Sequence, residues 1–257
     1  MNAKSDYIAV FDSGVGGISV LRELVRLMPN EQFLYYGDSA NAPYGTRPEE
    51  EVLALAMHVA DRLMDRGIKA LVIACNTATA VAAKKIREKY EDLIVIGIEP
   101  ALKPAVLGFP EGTVGIIATP VTLSGGKLSR LMARFPPPDP RLIPAPGLVE
   151  LVEKGLADSK EMDAFLEPIL RPYVGKLDAL VLGCTHYPFV IPAIRRILGD
   201  RVRLFDGGEG TARHTMRRLE EAGLIWDGPG SVQIENSKQD KEILRLSMAL
   251  LEEQIYE

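Results

Sequence analysis

The sequence predicts an α/β protein built from two pseudo-symmetric, doubly wound domains with mainly parallel sheets and a ligand site in the cleft between them. Three observations predict it. Short apolar runs rich in β-branched residues alternate with helical patterns along the chain, the signature of βαβ units. Two of these runs, Ile68-Lys-Ala-Leu-Val-Ile-Ala-Cys75-Asn-Thr77 and Leu177-Asp-Ala-Leu-Val-Leu-Gly-Cys184-Thr-His186, end in the only two cysteines of the chain. The other strand ends repeat at nearly the same interval. Cys184 follows Cys75 by 109 positions, while Thr119 follows Asp12, and Asp206 follows Glu99, by 107. Residues 32–36 and 141–145 form a weaker fourth pair. A period this long marks a duplicated domain rather than a solenoid.

Taken in order, residues 7–11 are a strand that ends at Asp12 and runs into Ser13-Gly-Val-Gly-Gly17. A helix follows over 18–27, with apolar residues at Val20, Leu21, Leu24, Val25 and Leu27. The glycines would let backbone amides approach an anion at the helix start. The dinucleotide pattern G-x-G-x-x-G fails, because Ser19 stands where its last glycine belongs. After strand 32–36 comes a polar loop, Gly37-Asp-Ser-Ala-Asn-Ala-Pro-Tyr44-Gly45-Thr-Arg-Pro48, too long and too specialised for a plain connector. Pro48-Glu-Glu-Glu51 opens the next helix, with acids facing its positive end. His58 reads as an ordinary residue of that helix. The third strand ends at Cys75, and 78–90 is an alanine-rich helix.

The stretch Gly97-Ile-Glu99-Pro100-Ala is the expected first crossing between domains, and Asp206-Gly-Gly-Glu209-Gly210 the second. The first domain is therefore discontinuous, 1–98 plus 208–257, and the second is 99–207. Within the second, a strand near 114–118 meets the hydroxyl-rich Thr119-Pro-Val-Thr122. Ser124-Gly-Gly-Lys127 lacks the glycine and hydroxyl that a phosphate loop requires. Residues 135–140 read as a stiff surface turn, 147–155 as a helix carrying Glu150 and Glu153, 211–222 as the returning helix, and 231–235 as a last strand before a closing amphipathic helix.

Composition excludes several classes. A net charge of −5, with no basic block interleaved with aromatics, argues against a nucleic-acid surface. No apolar run approaches the ~18 residues of a membrane span, and the short polar start carries no leader pattern. A cytoplasmic protein is expected. Two cysteines in 257 residues are no disulfide framework.

One strand-end cysteine is commonly a small buried hydrophobe; two at equivalent ends, each followed by amide, hydroxyl or imidazole groups, point to chemistry. A zinc site would need three or four ligands, and no C-x-x-C framework accompanies these residues. A cysteine hydrolase could pair Cys184 with His186, but Cys75 would then have no role. Two thiols facing a small substrate from two lobes meet the requirement for inverting a carbon centre, since one can remove a proton while the other delivers one to the opposite face. Helix N-termini and nearby cations supply the ionised thiol such work needs.

The chain as a whole resembles the cofactor-independent aspartate/glutamate racemase superfamily, and within it the glutamate racemases. The resemblance rests on FDSGVGG at 11–17, YYGDSANAPYG at 35–45, ACNTA at 74–78, GIEPA at 97–101 and GCTHYP at 183–188. It implies flavodoxin-like domains and a racemase without metal or other cofactor, with Cys75 acting on D-glutamate and Cys184 on the L form. It also implies that Asp12 assists Cys75, that His186 assists Cys184, and that Glu153 is a further helper. Substrate would be held by Asp12, Ser13, Tyr44, Gly45, Asn76, Thr77, Thr119, Thr122, Thr185 and His186, many of which also suit capping roles at strand-to-helix turns. The expected product feeds peptidoglycan synthesis. The expected partners are the small-molecule substrate and a second copy of the chain in a homodimer, with no nucleic acid and no membrane. This sequence departs from the family where Ala145-Pro146 replaces a common Cys-Pro, at Glu150 in place of proline, and near Lys127, where a tyrosine is common. Lys127 has no phosphate cup around it that would suit pyridoxal phosphate. A superfamily racemase acting on aspartate or another amino acid, and a two-lobed binding module without turnover, are the alternatives; turnover of L-glutamate separates them.

Overall fold

The computed structural model describes residues 3–252. Residues 1–2 and 253–257, which the sequence reading assigns to the first domain and the closing helix, lie outside the described residues. The described residues divide into two compact units, one made of those up to Glu99 together with Gly208–Glu252, the other spanning Pro100–Gly207.

In the first unit, β1 (Tyr7–Asp12), β2 (Gln32–Gly37), β3 (Ile68–Ile73) and β4 (Ile94–Gly97) alternate with α1 (Ile18–Leu27), α2 (Glu49–Met64) and α3 (Asn76–Lys89). The five-stranded sheet has the order β4-β3-β1-β2-β9, with β9 (Ser231–Asn236) contributed by the returning chain, and every pairing is parallel. β1 and β3 are buried on both faces, which is why their sequences read as continuous apolar runs instead of alternating ones. One face packs under α2 and α3 through Phe11, Leu34, Leu71, Ile73, Ala56, Val59, Ala82 and Ile86. On the returning chain, α10 (Gly208–Glu221) and α11 (Lys241–Glu252) pack against α1.

At the start of β3 a charge is buried. Lys69 and Glu31 form an ion pair of 2.6 Å with both side chains excluded from solvent. Lys69 Nζ also donates to the carbonyls of Lys4 and, at 3.0 Å, Leu224. The second oxygen of Glu31 accepts the Trp226 amide at 2.9 Å. All three protons of the ammonium therefore have acceptors, the condition under which a buried charge is tolerated.

In the second unit, β5 (Thr113–Ala118), β6 (Asp139–Pro144), β7 (Ala179–Leu182) and β8 (Arg203–Asp206) form a parallel sheet of order β6-β5-β7-β8. Its helices are α4 (Leu102–Gly108), α5 (Pro120–Ser124), α6 (Gly126–Arg134), α7 (Leu148–Glu153), α8 (Lys160–Leu170) and α9 (Ile191–Leu198). Leaving aside the added edge strand β9, both sheets share the order second-first-third-fourth, and in such sheets the connections diverge at the carboxyl ends of the first and third strands, where a crevice opens for ligands. Those ends are Asp12 and Cys75 in one unit, Thr119 and Cys184 in the other.

Three sequence expectations shift. The helix expected from 78 starts at Asn76, because Cys75 itself caps it. The helix expected from 211 starts at Gly208. The turn expected over 135–140 is shorter, since Asp139 and Pro140 already pair with Thr113 and Val114; proline is tolerated there because β6 is an edge strand.

Candidate active site

In the first unit the site grows from three strand ends. β1 delivers Asp12, which is fully buried, and the chain turns there so that Asp12 Oδ1 accepts both the Ser13 amide at 2.5 Å and the Ser13 hydroxyl at 3.0 Å. Gly17 is required beside it, because a Cβ there would come within 2.6 Å of Asp12 Cβ. β3 delivers Cys75, whose backbone turns out of the strand and whose sulfur accepts the Ala78 amide at 3.4 Å as the cap of α3. The sulfur lies 3.6 Å from Ser13 Oγ. A backbone N–H and the positive end of a fourteen-residue helix both favour negative charge on that atom. Asn76 and Thr77 open the helix and are buried, and Asn76 Oδ1 has no hydrogen-bond partner among the described residues.

β2 delivers Asp38, which sequence reasoning passed over inside the polar loop. It is buried, accepts the Tyr44 hydroxyl at 2.6 Å, and binds Asn41 Nδ2 at 3.1 Å through each oxygen. Tyr44 and Gly45 lie on a 3-10 turn (Tyr44–Thr46), with the Tyr44 ring edge-on to Phe11. Burial, then the bond to Asp38 and the charges of Asp38, Cys75 and Asp12, push the Tyr44 phenol far above the usual tyrosine range, so it stays a neutral donor. A carboxylate directly following a strand run was the signal that could have found Asp38.

In the second unit β7 ends at Leu182 and delivers Cys184 through Gly183, where a Cβ would meet that of Ala118 at 2.8 Å. Cys184 Sγ lies 3.7 Å from His186 Nδ1, and His186 Nε2 lies 2.8 Å from Glu153 Oε1 at the end of α7. Burial alone would favour the neutral imidazole, but the bonds to Cys184 and Glu153, with the charge of both, outweigh it and raise the His186 pKa well above its ordinary value. As an imidazolium, His186 donates one N–H to the sulfur and the other to the carboxylate. The Thr119 hydroxyl caps α5, accepting the Thr122 amide at 3.4 Å and bonding Thr122 Oγ1 at 3.0 Å. Thr185 is buried beside Cys184. Tyr187, also passed over, is buried and donates to the Ala145 carbonyl at 3.3 Å, bracing the segment that carries His186.

Each unit therefore brings its own expected residues together: Asp12, Ser13, Cys75, Asn76 and Thr77 in one, and Glu153, Cys184, Thr185 and His186 in the other, with Thr119 and Thr122 at the neighbouring strand end. Among the described residues no group of three or more His, Cys, Asp or Glu is arranged to hold a metal ion, and no helix is long and apolar enough to cross a membrane.

Residues 8–215 match the model of the Asp/Glu/Hydantoin racemase family. The chain is 45% identical over 253 residues to a glutamate racemase of Clostridium perfringens, covering 97% of each. Among solved structures it superposes with a TM-score of 0.84 on a glutamate racemase from Francisella tularensis in complex with D-glutamate, at 28% identity, covering 98% of this chain and 96% of that one. It superposes with a TM-score of 0.81 on an Escherichia coli glutamate racemase in complex with L-glutamate, at 31% identity, covering 96% of this chain and 92% of that one.

Proposed function

The chain belongs to the Asp/Glu/Hydantoin racemase family and is an amino-acid racemase, and on that premise we propose that it interconverts L- and D-glutamate by cofactor-independent proton transfer between two thiols. The observation that carries this reading is the pair of cysteines at the third strand end of two sheets of one order, each linked to an acid through its own hydrogen-bonded partner. Inversion needs a base on each face of the α-carbon, and each unit supplies one. In this reading Cys75 takes the α-proton of D-glutamate while the Cys184 thiol delivers its own to the opposite face, and the roles reverse for L-glutamate. Asp12 assists Cys75; His186 and Glu153 assist Cys184. Ser13, Tyr44, Gly45, Asn76, Thr77, Thr119, Thr122, Thr185 and His186 hold the substrate, and an α-ammonium would satisfy Asn76 Oδ1.

The same proposal treats the chain as a discontinuous first domain, 1–98 with 208–257, and a second, 99–207, that close on the substrate. It places the protein in the cytoplasm as a homodimer whose D-glutamate supplies peptidoglycan assembly. Dimerisation is checked by sedimentation of the full chain.

The test of the activity is direct. The full chain, freed of metal and pyridoxal phosphate, is incubated with L-glutamate and the optical rotation followed. Rotation should decay to zero; constant rotation sinks the proposal. Donors placed for a γ-carboxylate would go unsatisfied with aspartate, costing about 1–3 kcal/mol per group, so comparable kcat/KM for the two substrates would remove glutamate as the specific one.

A further inference from the structure

We propose that Ser13 is a positioning residue, a hydroxyl rotor that couples the protonation of Asp12 to that of Cys75. The proposal rests on reading Cys75 as a base in racemisation. Ser13 sits between the two groups, 3.0 Å from Asp12 Oδ1 and 3.6 Å from Cys75 Sγ. It has one hydroxyl hydrogen to give. When Asp12 is ionised, that hydrogen goes to Oδ1, and the Ser13 amide holds the same oxygen. The hydroxyl can then only accept from the sulfur, which favours the thiol. The Ala78 amide acts against it, donating to the sulfur and favouring the thiolate. These two contacts oppose one another, and the direction of one hydroxyl shifts the balance between them.

The second arrangement follows by moving one proton. The thiol proton passes to Ser13 Oγ as the serine proton passes to Asp12 Oδ1. The neutral carboxyl then donates to Ser13 Oγ, and the serine O–H donates to the thiolate. Cys75 has lost a proton, Asp12 has gained one, and the three groups keep a single negative charge throughout. Among the described residues, titratable groups facing this trio include Tyr44 from the 3-10 turn and, behind its hydroxyl, Asp38 from the end of β2. Tyr44 stays protonated, and both oxygens of Asp38 are engaged by Asn41, one of them also by Tyr44. Asp12 is therefore the carboxylate that the hydroxyl addresses.

The test reads the sulfur without substrate. The full chain is treated with iodoacetamide across a pH series, and labelling of Cys75 is resolved from that of Cys184 by peptide mass spectrometry. Ser13→Ala removes the acceptor that favours the thiol, so the midpoint of Cys75 labelling should move to lower pH by about half to one unit. Ser13→Thr should restore it. An unmoved midpoint in Ser13→Ala, the result expected if Ser13 only binds substrate or packs, overturns the proposal. Asp12→Asn carries the test independently should Ser13→Ala not fold. It replaces a charged acceptor with a weaker neutral one, so the hydroxyl turns more readily to the sulfur and the midpoint should also fall; an unmoved or raised midpoint overturns the rotor. In the double variant the Asp12→Asn shift should shrink, because its messenger is gone, and simple additivity also overturns the proposal. Labelling that behaves as expected in a chain that leaves L-glutamate unturned keeps the rotor and removes the racemase reading, whereas racemisation with an unmoved midpoint removes the rotor alone.

Discussion

Cys75 and Cys184 end equivalent strands, yet they are furnished differently. Cys75 is itself the cap of a long helix, so a backbone amide reaches its sulfur. Cys184 is followed by Thr185, His186 and a 3-10 turn over Tyr187–Val190, whose first amide goes to the Cys184 carbonyl at 3.1 Å instead of the sulfur. There the positive charge comes from an imidazole held by Glu153. A helix N-terminus offers about half an elementary charge that no pH change removes, while a protonated imidazole offers a whole one that can be titrated. The difference teaches that a thiol at the same strand end can be supported by a fixed dipole or by an ionisable side chain, and that the cationic support itself titrates only in the second.

The largest expected effect tests what the two thiols share. Cys75→Ala and Cys184→Ala should each lower kcat/KM in both directions by about 10²–10⁴-fold, the worth of a positioned acid or base. A variant that kept wild-type kcat/KM in a polarimetric assay would break the equivalence. The next test separates the halves. His186→Asn should lower kcat for L-glutamate more than for D-glutamate, by roughly 10–100-fold given the worth of a charged hydrogen bond, and Asp12→Asn should do the reverse. Because the equilibrium constant cannot change, KM must compensate, and equal kcat losses in both directions would refute the division of labour.

A smaller effect concerns pH and stability. His186 has a folded pKa above its unfolded value of about 6.5, so its pairing stabilises fully below that pH and the gain is lost as pH rises through the folded value. Glu153→Gln should therefore cost about 1.5–3 kcal/mol in mildly acid to neutral solution, with the deficit in denaturant midpoint shrinking under alkaline conditions. A deficit independent of pH would mean that Glu153 packs instead of pairing. The smallest signal is isotopic. In D2O at low conversion the product enantiomer should carry deuterium and the recovered substrate almost none, from either starting direction. Matching label in both would favour one swinging base over two thiols.

The strands were legible wherever burial on both faces left an uninterrupted apolar run, as in Val10-Phe11 and Leu71-Val72-Ile73. β6 was poorly legible because an edge strand escapes that demand: Arg141 and Leu142 are exposed, and two prolines occupy it. The two strand-end thiols could be read because a cysteine at the end of a buried run is conspicuous twice over. Asp38 showed only as an acid directly after a strand run, and Tyr187 not at all, since its work is to hold the Ala145 carbonyl and a partner in space leaves no mark in spacing along the chain. Likewise, nothing in Asp12-Ser13 tells that the serine lies between the acid and a sulfur brought from β3.

The sealed pair of Lys69 and Glu31 has a consequence for the ribosome. Lys69 donates to its last carbonyl partner, Leu224, 155 residues downstream, and Glu31 accepts from its amide partner, Trp226, 195 residues on. At about 5–20 residues per second, that separation is a wait of roughly 8–30 s during synthesis. Throughout it the nascent first unit holds an ammonium and a carboxylate that cannot yet be shut away from water, and before it ends the continuous stretch Pro100–Gly207 has every strand of its own sheet in hand. The unit begun first is thus the one completed last.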